Sequence, residues 1–238
     1  MGSGGGTMNQ VATEAVLVCQ ETLAAETVAY TFELATPMPF QAGQFVELAV
    51  PGALPRPERA YSIWSGPTEP SRLTLVVKLI RGGAAGEYLR AARVGDRMHL
   101  RGPFGHFVMR DTAGPHNFVA TGTGLAPFHS MLAEAARGGD RRRFRVWFGV
   151  REAADDFGGA ALARLEGVLP ALSVTRCLSR PGSEWAGFRG RVTDALVAQA
   201  PALEGEWYLC GSGPMVDEVR AWLRGRGVAP NAVHVEKY

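Results

Sequence analysis

The feature that most constrains this chain is a change of rhythm at Asp111-Thr112-Ala113-Gly114-Pro115, a cluster of turn-forming residues. Ahead of it, short runs rich in β-branched and aromatic residues are broken by Gly and Pro. Behind it, apolar strand-like runs alternate with helical periods. The two patterns bury their apolar faces differently, so the break predicts two domains, residues 9–112 and 113–238. The first half predicts strands at 15–20, 27–34, 44–50, 60–65, 73–80 and 97–100, with a helix-like stretch at 86–92, as in an antiparallel barrel or sandwich. The second predicts strands at 117–121, 144–149, 171–177, 206–210 and 232–236, with helices at 125–137, 158–167, 192–199 and 214–225. That alternation implies an α/β doubly wound parallel sheet covered on both faces. Residues 1–8, a Gly and Ser run ending at Met8, read as an added leader and are left out of the fold.

Composition enters as a filter. With 46% hydrophobic and 20% charged residues, the chain is not disordered. It has no apolar run of about 18 residues and no signal-peptide pattern, so neither a membrane span nor secretion is expected, and the cytoplasm is the expected location. A net charge of +2 draws it to no nucleic acid. Split by segment, residues 1–58 carry −5 and residues 59–110 carry +6, which predicts a local basic patch. Cys19, Cys177 and Cys210 stand far apart, and the histidines lack ligand spacing, so no bound metal is expected.

Two strand-turn-helix passages carry glycine. In Thr121-Gly122-Thr123-Gly124-Leu125-Ala126-Pro127 the glycines would let main chain approach a pyrophosphate beside a helix N-terminus, although Pro127 stands where a third Gly completes the dinucleotide fingerprint. An ordinary tight connection has the same look. Cys210-Gly211-Ser212-Gly213-Pro214-Met215 repeats the arrangement, and the two turns can face one crevice. In the first half, Arg59-Ala60-Tyr61-Ser62 and Gly82-Gly83-Ala84-Ala85-Gly86-Glu87 stand out. Arg59 fits a phosphate or a solvated strand end, Tyr61 a stacking platform or the core, and the glycine loop a second phosphate cradle. Gly102-Pro103-Phe104-Gly105 reads as a turn with no mechanism of its own.

In their order, R-x-Y-S, G-G-x-x-x, G-P-F-G-x-F, G-T-G-x-A-P, F-G-x-R, S-R, C-G-x-x-x-M and a terminal E-x-Y resemble the ferredoxin-NADP reductase superfamily over nearly the whole chain. The resemblance implies a six-stranded antiparallel barrel for FAD and a doubly wound domain for NADP(H). By that resemblance Arg59 would neutralise the flavin pyrophosphate, Tyr61 would stack on the isoalloxazine and Ser62 would bond near N5. Ala60, Val77 and Lys78 are taken as further flavin contacts. Gly83, Ala84, Ala85, Gly86 and Glu87 would cover the pyrophosphate, with Gly86 standing where many relatives have Ser. Gly122, Thr123, Gly124 and Pro127 would hold the coenzyme pyrophosphate. Cys210, Gly211 and Met215 would wall the nicotinamide, or Cys210 is simply a small buried hydrophobe. Arg151, Ser179, Arg180 and Arg191 would read the 2′-phosphate; as surface charges they would leave the ribose hydroxyl to Glu152 or Asp155. Tyr238 would cover the second flavin face and Glu236 would relay a proton through Ser62, unless this ending is only the last strand.

The function implied is an FAD-dependent enzyme that transfers hydride between NADPH and FAD and single electrons to or from ferredoxin or flavodoxin, docked on the basic patch. One alternative is an NADH-dependent reductase component of an oxygenase, for which neither the length nor the cysteines supply a fused iron-sulfur domain, or a free flavin reductase. Another is a non-catalytic nucleotide-binding electron-transfer subunit.

Overall fold

The computed structural model describes residues 10–52 and 58–237. The leader at 1–8 and Tyr238 lie outside the described residues. The first six strands, β1 (Val11–Ala24), β2 (Thr27–Leu34), β3 (Phe45–Ala49), β4 (Glu58–Ser62), β5 (Arg72–Lys78) and β6 (Arg97–Phe104), form one antiparallel sheet in the order β4-β3-β6-β1-β2-β5. A bridge from Ile63 to Leu75 joins the two edge strands and closes the barrel. Its interior is filled by Leu17, Phe32, Val46, Leu48, Ile63, Leu75 and Leu100, each nearly inaccessible. Helix α1 (Ala84–Ala91) stops one end: Leu89 enters the core, and the Tyr30 hydroxyl donates to the Leu89 carbonyl at 3.0 Å.

The remaining strands, β7 (His116–Thr121), β8 (Phe144–Val150), β9 (Leu172–Leu178), β10 (Phe188–Arg189), β11 (Glu206–Gly211) and β12 (Val233–Lys237), form a wholly parallel sheet ordered β10-β9-β8-β7-β11-β12. Helices α2 (Leu125–Arg137) and α3 (Gly159–Glu166) cover one face, and α4 (Val192–Gln199) and α5 (Gly213–Arg224) the other. Strand side chains alternate between the two layers: Phe118, Phe148, Tyr208 and Cys210 face α2 and α3, whereas Val119, Trp147, Trp207 and Leu209 face α4 and α5. The strand order reverses between β7 and β11. Both glycine turns leave the carboxyl ends of those two strands, which is where open α/β sheets take ligands. No helix among the described residues is long and apolar enough to cross a membrane.

Four expectations are corrected. β1 runs to Ala24, well beyond residue 20, because it pairs with β2 from Ala15 to Ala24 and with β6 over Val11–Val16. β10 is a two-residue strand with no periodicity to betray it. Gly102 to Phe104 are not a turn: they are the end of β6, with Gly102 opposite Val11 and Phe104 opposite Phe45. Lastly, part of the segmental charge is matched by ion pairs on the barrel surface. Arg97 pairs with Glu14 across β6 and β1, Arg101 with Glu47 across β6 and β3 at 2.6 Å, and Arg81 and Arg90 both with Glu26 at 3.3 and 3.0 Å. Three glutamates of the acidic segment are set against these four arginines, so the four do not form a free basic patch.

The barrel and the sheet share apolar surface. Ala29, Ala42, Val76 and Phe107 from the barrel side are buried in the same cluster as Phe118, Phe128, Met131 and Tyr208. The connecting segment is pinned by its main chain: the Arg110 amide donates to the Tyr208 hydroxyl at 2.8 Å, and Arg142 Nη1 donates to the carbonyls of Arg110 and Thr112 at 3.2 and 3.1 Å.

Candidate functional site

β4 is an edge of the barrel sheet, so its outer side chains are offered to whatever lies beyond it. Tyr61 is half-buried against the barrel core, and that burial pushes its phenol up to about 12, against the opposing pull of Arg59, so the ring is neutral at ordinary pH. α1 opens at Gly83 with no side-chain cap, leaving the amide-rich first turn that favours an anion. The Glu87 carboxylate takes the Gly82 amide at 3.2 Å. Gly86 is buried, and a Cβ there would stand 2.4 Å from the Ile80 carbonyl oxygen. The absence of a serine at this position is therefore a packing requirement of the loop. Val77 is only 3% exposed and its side chain lies in the barrel core, so the side-chain contact expected there is not available. Ala60 is exposed.

At the switch point the two glycine turns press together. A Cβ on Gly124 would fall 2.3 Å from the Cys210 carbonyl oxygen, and one on Gly211, at φ +141°, would fall 2.3 Å from Thr121 Oγ1. The Ser212 amide donates to that same oxygen at 3.2 Å. Glycine is needed at both places because the main chains themselves touch, and Pro127 sits buried in the first turns of α2.

The barrel then meets this floor. Ser62 Oγ donates to Glu236 Oε1 at 3.2 Å, across the crevice between β4 and β12. Glu236 is the register partner of Cys210, so in a parallel pair both side chains leave the sheet on one face. Burial raises the Glu236 carboxyl above its ordinary value, with the Ser62 hydrogen bond opposing it. Burial also pushes the Cys210 thiol up, and Glu236 adds to that, so the sulfur stays protonated and is no nucleophile. Gly105, at φ +93°, completes the wall: a Cβ there would meet the Phe45 ring at 3.1 Å and Glu236 Oε2 at 3.9 Å.

The arginine group lies along the carboxyl edge. The amides of Ser179 and Arg180 donate to the carbonyls of Val150 and Arg151 at 3.2 and 2.8 Å, which sets the ends of β8 and β9 side by side. Arg191 is the residue before α4, its amide held by Asp194 Oδ2 at 2.8 Å, and all three arginines are exposed. Asp155 does not join them: its carboxylate faces Lys78 of the barrel at 3.7 Å. Sequence reasoning gave no role to Phe107, which packs on Phe128 and Tyr208 of the sheet domain, or to Gly105 beside Glu236, and it missed Gln44, which braces this wall from within the barrel. Gln44 donates through Nε2 to the Gly105 carbonyl at 3.0 Å and accepts the Gln41 amide at 2.8 Å. The G-P-F-G-x-F run was the one available signal for this wall.

Each half-site lies on a domain that matches a family of nucleotide-binding oxidoreductase domains. Residues 14–109 match the family described as oxidoreductase FAD-binding domain, and residues 118–221 the one described as oxidoreductase NAD-binding domain. The chain belongs to the ferredoxin-NADP reductase superfamily. It is 37% identical to ferredoxin-NADP reductase B of Sorangium cellulosum over 213 residues, 84% of this chain and 85% of that protein. It is also 37% identical to DmpP, the reductase component of phenol 2-monooxygenase of a Pseudomonas, over 201 residues, 82% of this chain but only 56% of that protein. The crystal structure of the Amycolatopsis cytochrome P450 reductase GcoB superposes with a TM-score of 0.88 at 31% identity, covering 97% of this chain and 71% of that one.

Proposed function

We propose that the chain moves reducing equivalents between NADPH and FAD and passes single electrons to or from a small carrier protein, a ferredoxin or flavodoxin, in the cytoplasm, with its two domains parting at residues 112 and 113. The juxtaposition of Ser62, Glu236 and Cys210 in one crevice carries this reading. FAD, when bound, supplies an acceptor that takes two electrons together and gives them up one at a time.

Each residue then has a task the geometry suits. Arg59 and the first-turn amides of Gly83, Ala84, Ala85 and Gly86 hold pyrophosphate, the guanidinium because its planar fork matches phosphate oxygens. Tyr61 offers a neutral face for stacking, while Val77 contributes main chain alone and Lys78 acts by holding Asp155. Gly122, Thr123, Gly124 and Pro127 shape the coenzyme turn. Cys210 and Gly211 would wall the nicotinamide, the unreactive thiol acting by its size, whereas the Met215 side chain, expected beside them, is buried with Val119 and Trp207 on the opposite face of the sheet and is not available for that contact. Glu236, whose raised pKa lets it carry a proton nearer neutral pH, hands it on through the Ser62 hydroxyl. Tyr238 remains assigned to the second flavin face.

Arg180 and Arg191, with Ser179 between β9 and α4 and Arg151 beside them, read the 2′-phosphate; the pairing of Asp155 with Lys78 leaves Glu152 as the one carboxylate of the two for a ribose hydroxyl contact. Anaerobic titration with NADPH and with NADH, following the flavin absorbance, tests it. NADPH bleaches the protein at the lower concentration, and Arg191→Ala abolishes that preference; a preference that survives Arg191→Ala refutes the coenzyme assignment. A second reading, the NADH-dependent reductase component of an oxygenase, is favoured by the likeness to DmpP. It predicts a preference for NADH and turnover only with an oxygenase partner.

A further inference from the structure

The chemistry above leaves a half-buried imidazole unused. α2 begins at the Gly122–Gly124 turn and so carries the coenzyme-binding end of the sheet domain, whereas β4 ends at Ser62 and carries the flavin-facing residues. The two elements meet at residues 64–66. The Trp64 indole lies flat on the His129 imidazole, centroids 3.7 Å apart and planes 5° from parallel, and Phe157 packs on the same indole at 6.0 Å. His129 Nδ1 sits 2.9 Å from the Trp64 carbonyl oxygen. A carbonyl only accepts, so Nδ1 bears the proton. The next side chain repeats the bond on the next carbonyl: Ser130 Oγ donates to Ser65 O at 2.7 Å. At Gly66 a Cβ would stand 3.6 Å from that of Ala133, so loop and helix run in contact.

Consecutive side chains bonded to consecutive carbonyls fix where α2 sits along its axis, and the flat ring contact fixes its height. A one-residue slip of a helix is about 1.5 Å, and a misplacement of about 1 Å is enough to cost on the order of 100-fold in a reaction between two held partners. We infer that Trp64, His129 and Ser130 are positioning residues: a clamp between the domains that sets the gap between flavin and nicotinamide. The inference rests on the function proposed above.

The coenzyme tail is bound wholly within the sheet domain, so loosening the clamp slows hydride transfer without weakening coenzyme binding. Stopped-flow bleaching of the anaerobic holoprotein by saturating NADPH, or by NADH if that bleaches the wild type faster, reads this directly. His129→Phe keeps the ring and loses Nδ1–H; Ser130→Ala loses the second bond; His129→Asn keeps a donor near the Nδ1 place. Both His129→Phe and Ser130→Ala are expected to bleach about tenfold more slowly. Coenzyme Kd should stay within about twofold and flavin content at the wild-type level, with His129→Asn recovering part of the rate. Should His129→Phe lose flavin, Ser130→Ala gives the same reading with a single hydroxyl removed. Wild-type rates in both variants overturn the clamp, as does a loss of coenzyme affinity equal to the loss of rate. A wild type that neither coenzyme bleaches overturns the proposed function, and the clamp with it.

Discussion

Gly86 shows how a single position can be fixed by its neighbours' main chain. With the Ile80 carbonyl 2.4 Å from where a Cβ would go, Gly86→Ser must displace the loop ahead of α1. Overpacking of this kind costs about 1 to 3 kcal/mol, so the variant should melt several degrees lower and retain less FAD. A Tm equal to the wild type would show that the loop yields freely. His129 makes a prediction about pH. Burial, with Arg164 adding to it, pushes the imidazole down to about 4, against the Trp64 carbonyl bond. The unfolded chain takes up that proton near its ordinary value of 6.5 while the folded chain refuses it, so this stability is full above pH 6.5 and is lost as pH falls toward 4. The Tm advantage of the wild type over His129→Phe should therefore shrink between pH 7 and 4. Glu236 has the opposite sign: its raised carboxyl costs stability as pH climbs past its ordinary value, so Glu236→Gln should raise the Tm of the protein at neutral pH. Sequence marked Gly86 and Glu236 because both fall in motifs. Neither contact could be read: the Ile80 carbonyl meets Gly86 only once the loop ahead of α1 has folded back on it, and the imidazole's partner lies 65 residues earlier in the chain.

At the scale of elements, strands and helices with strong periodicity were legible, and those defined by pairing were not. The alternation of Phe118, Val119 and Ala120 between two helical layers is written in the sequence, as is the 3.6-residue stripe of α2. β10 exists because Phe188 and Arg189 run beside Cys177 and Leu178, and nothing local announces it. The end of β6 was hidden for a related reason: Gly102 and Pro103 look like a turn until β1 and β3 are present to pair with them. One hydroxyl shares with Arg142 the task of holding the connecting segment. Tyr208→Phe leaves the Arg110 amide without its acceptor and should cost about 1 kcal/mol in urea unfolding while leaving the flavin spectrum unchanged. An unaltered midpoint would mean that Arg142 alone holds the segment.

For the molecule as a whole, the charge count of the sequence misled because it ignored which strands lie side by side. Glu14, Glu26 and Glu47 come from the acidic stretch and stand against Arg97, Arg81, Arg90 and Arg101 from the basic one. Steered association gains 10-fold to about 1,000-fold from an open field of one sign. With these arginines matched, kcat/KM for a ferredoxin should change by less than about threefold as salt is raised through about 0.1 M. A steep fall would place the dock on arginines outside these pairs. The bipartite plan itself was plain from the break at 111–115, because two burial rhythms cannot share one layer.

The apolar cluster that takes in Ala29, Val76 and Phe107 together with Phe128 and Met131 belongs to neither half alone. Severed from each other, barrel and sheet would each be left with a greasy flank facing water, and each fragment would tend to clump. The intact chain should instead give one heat-absorption peak, its halves coming apart in a single event rather than swinging on a loose joint.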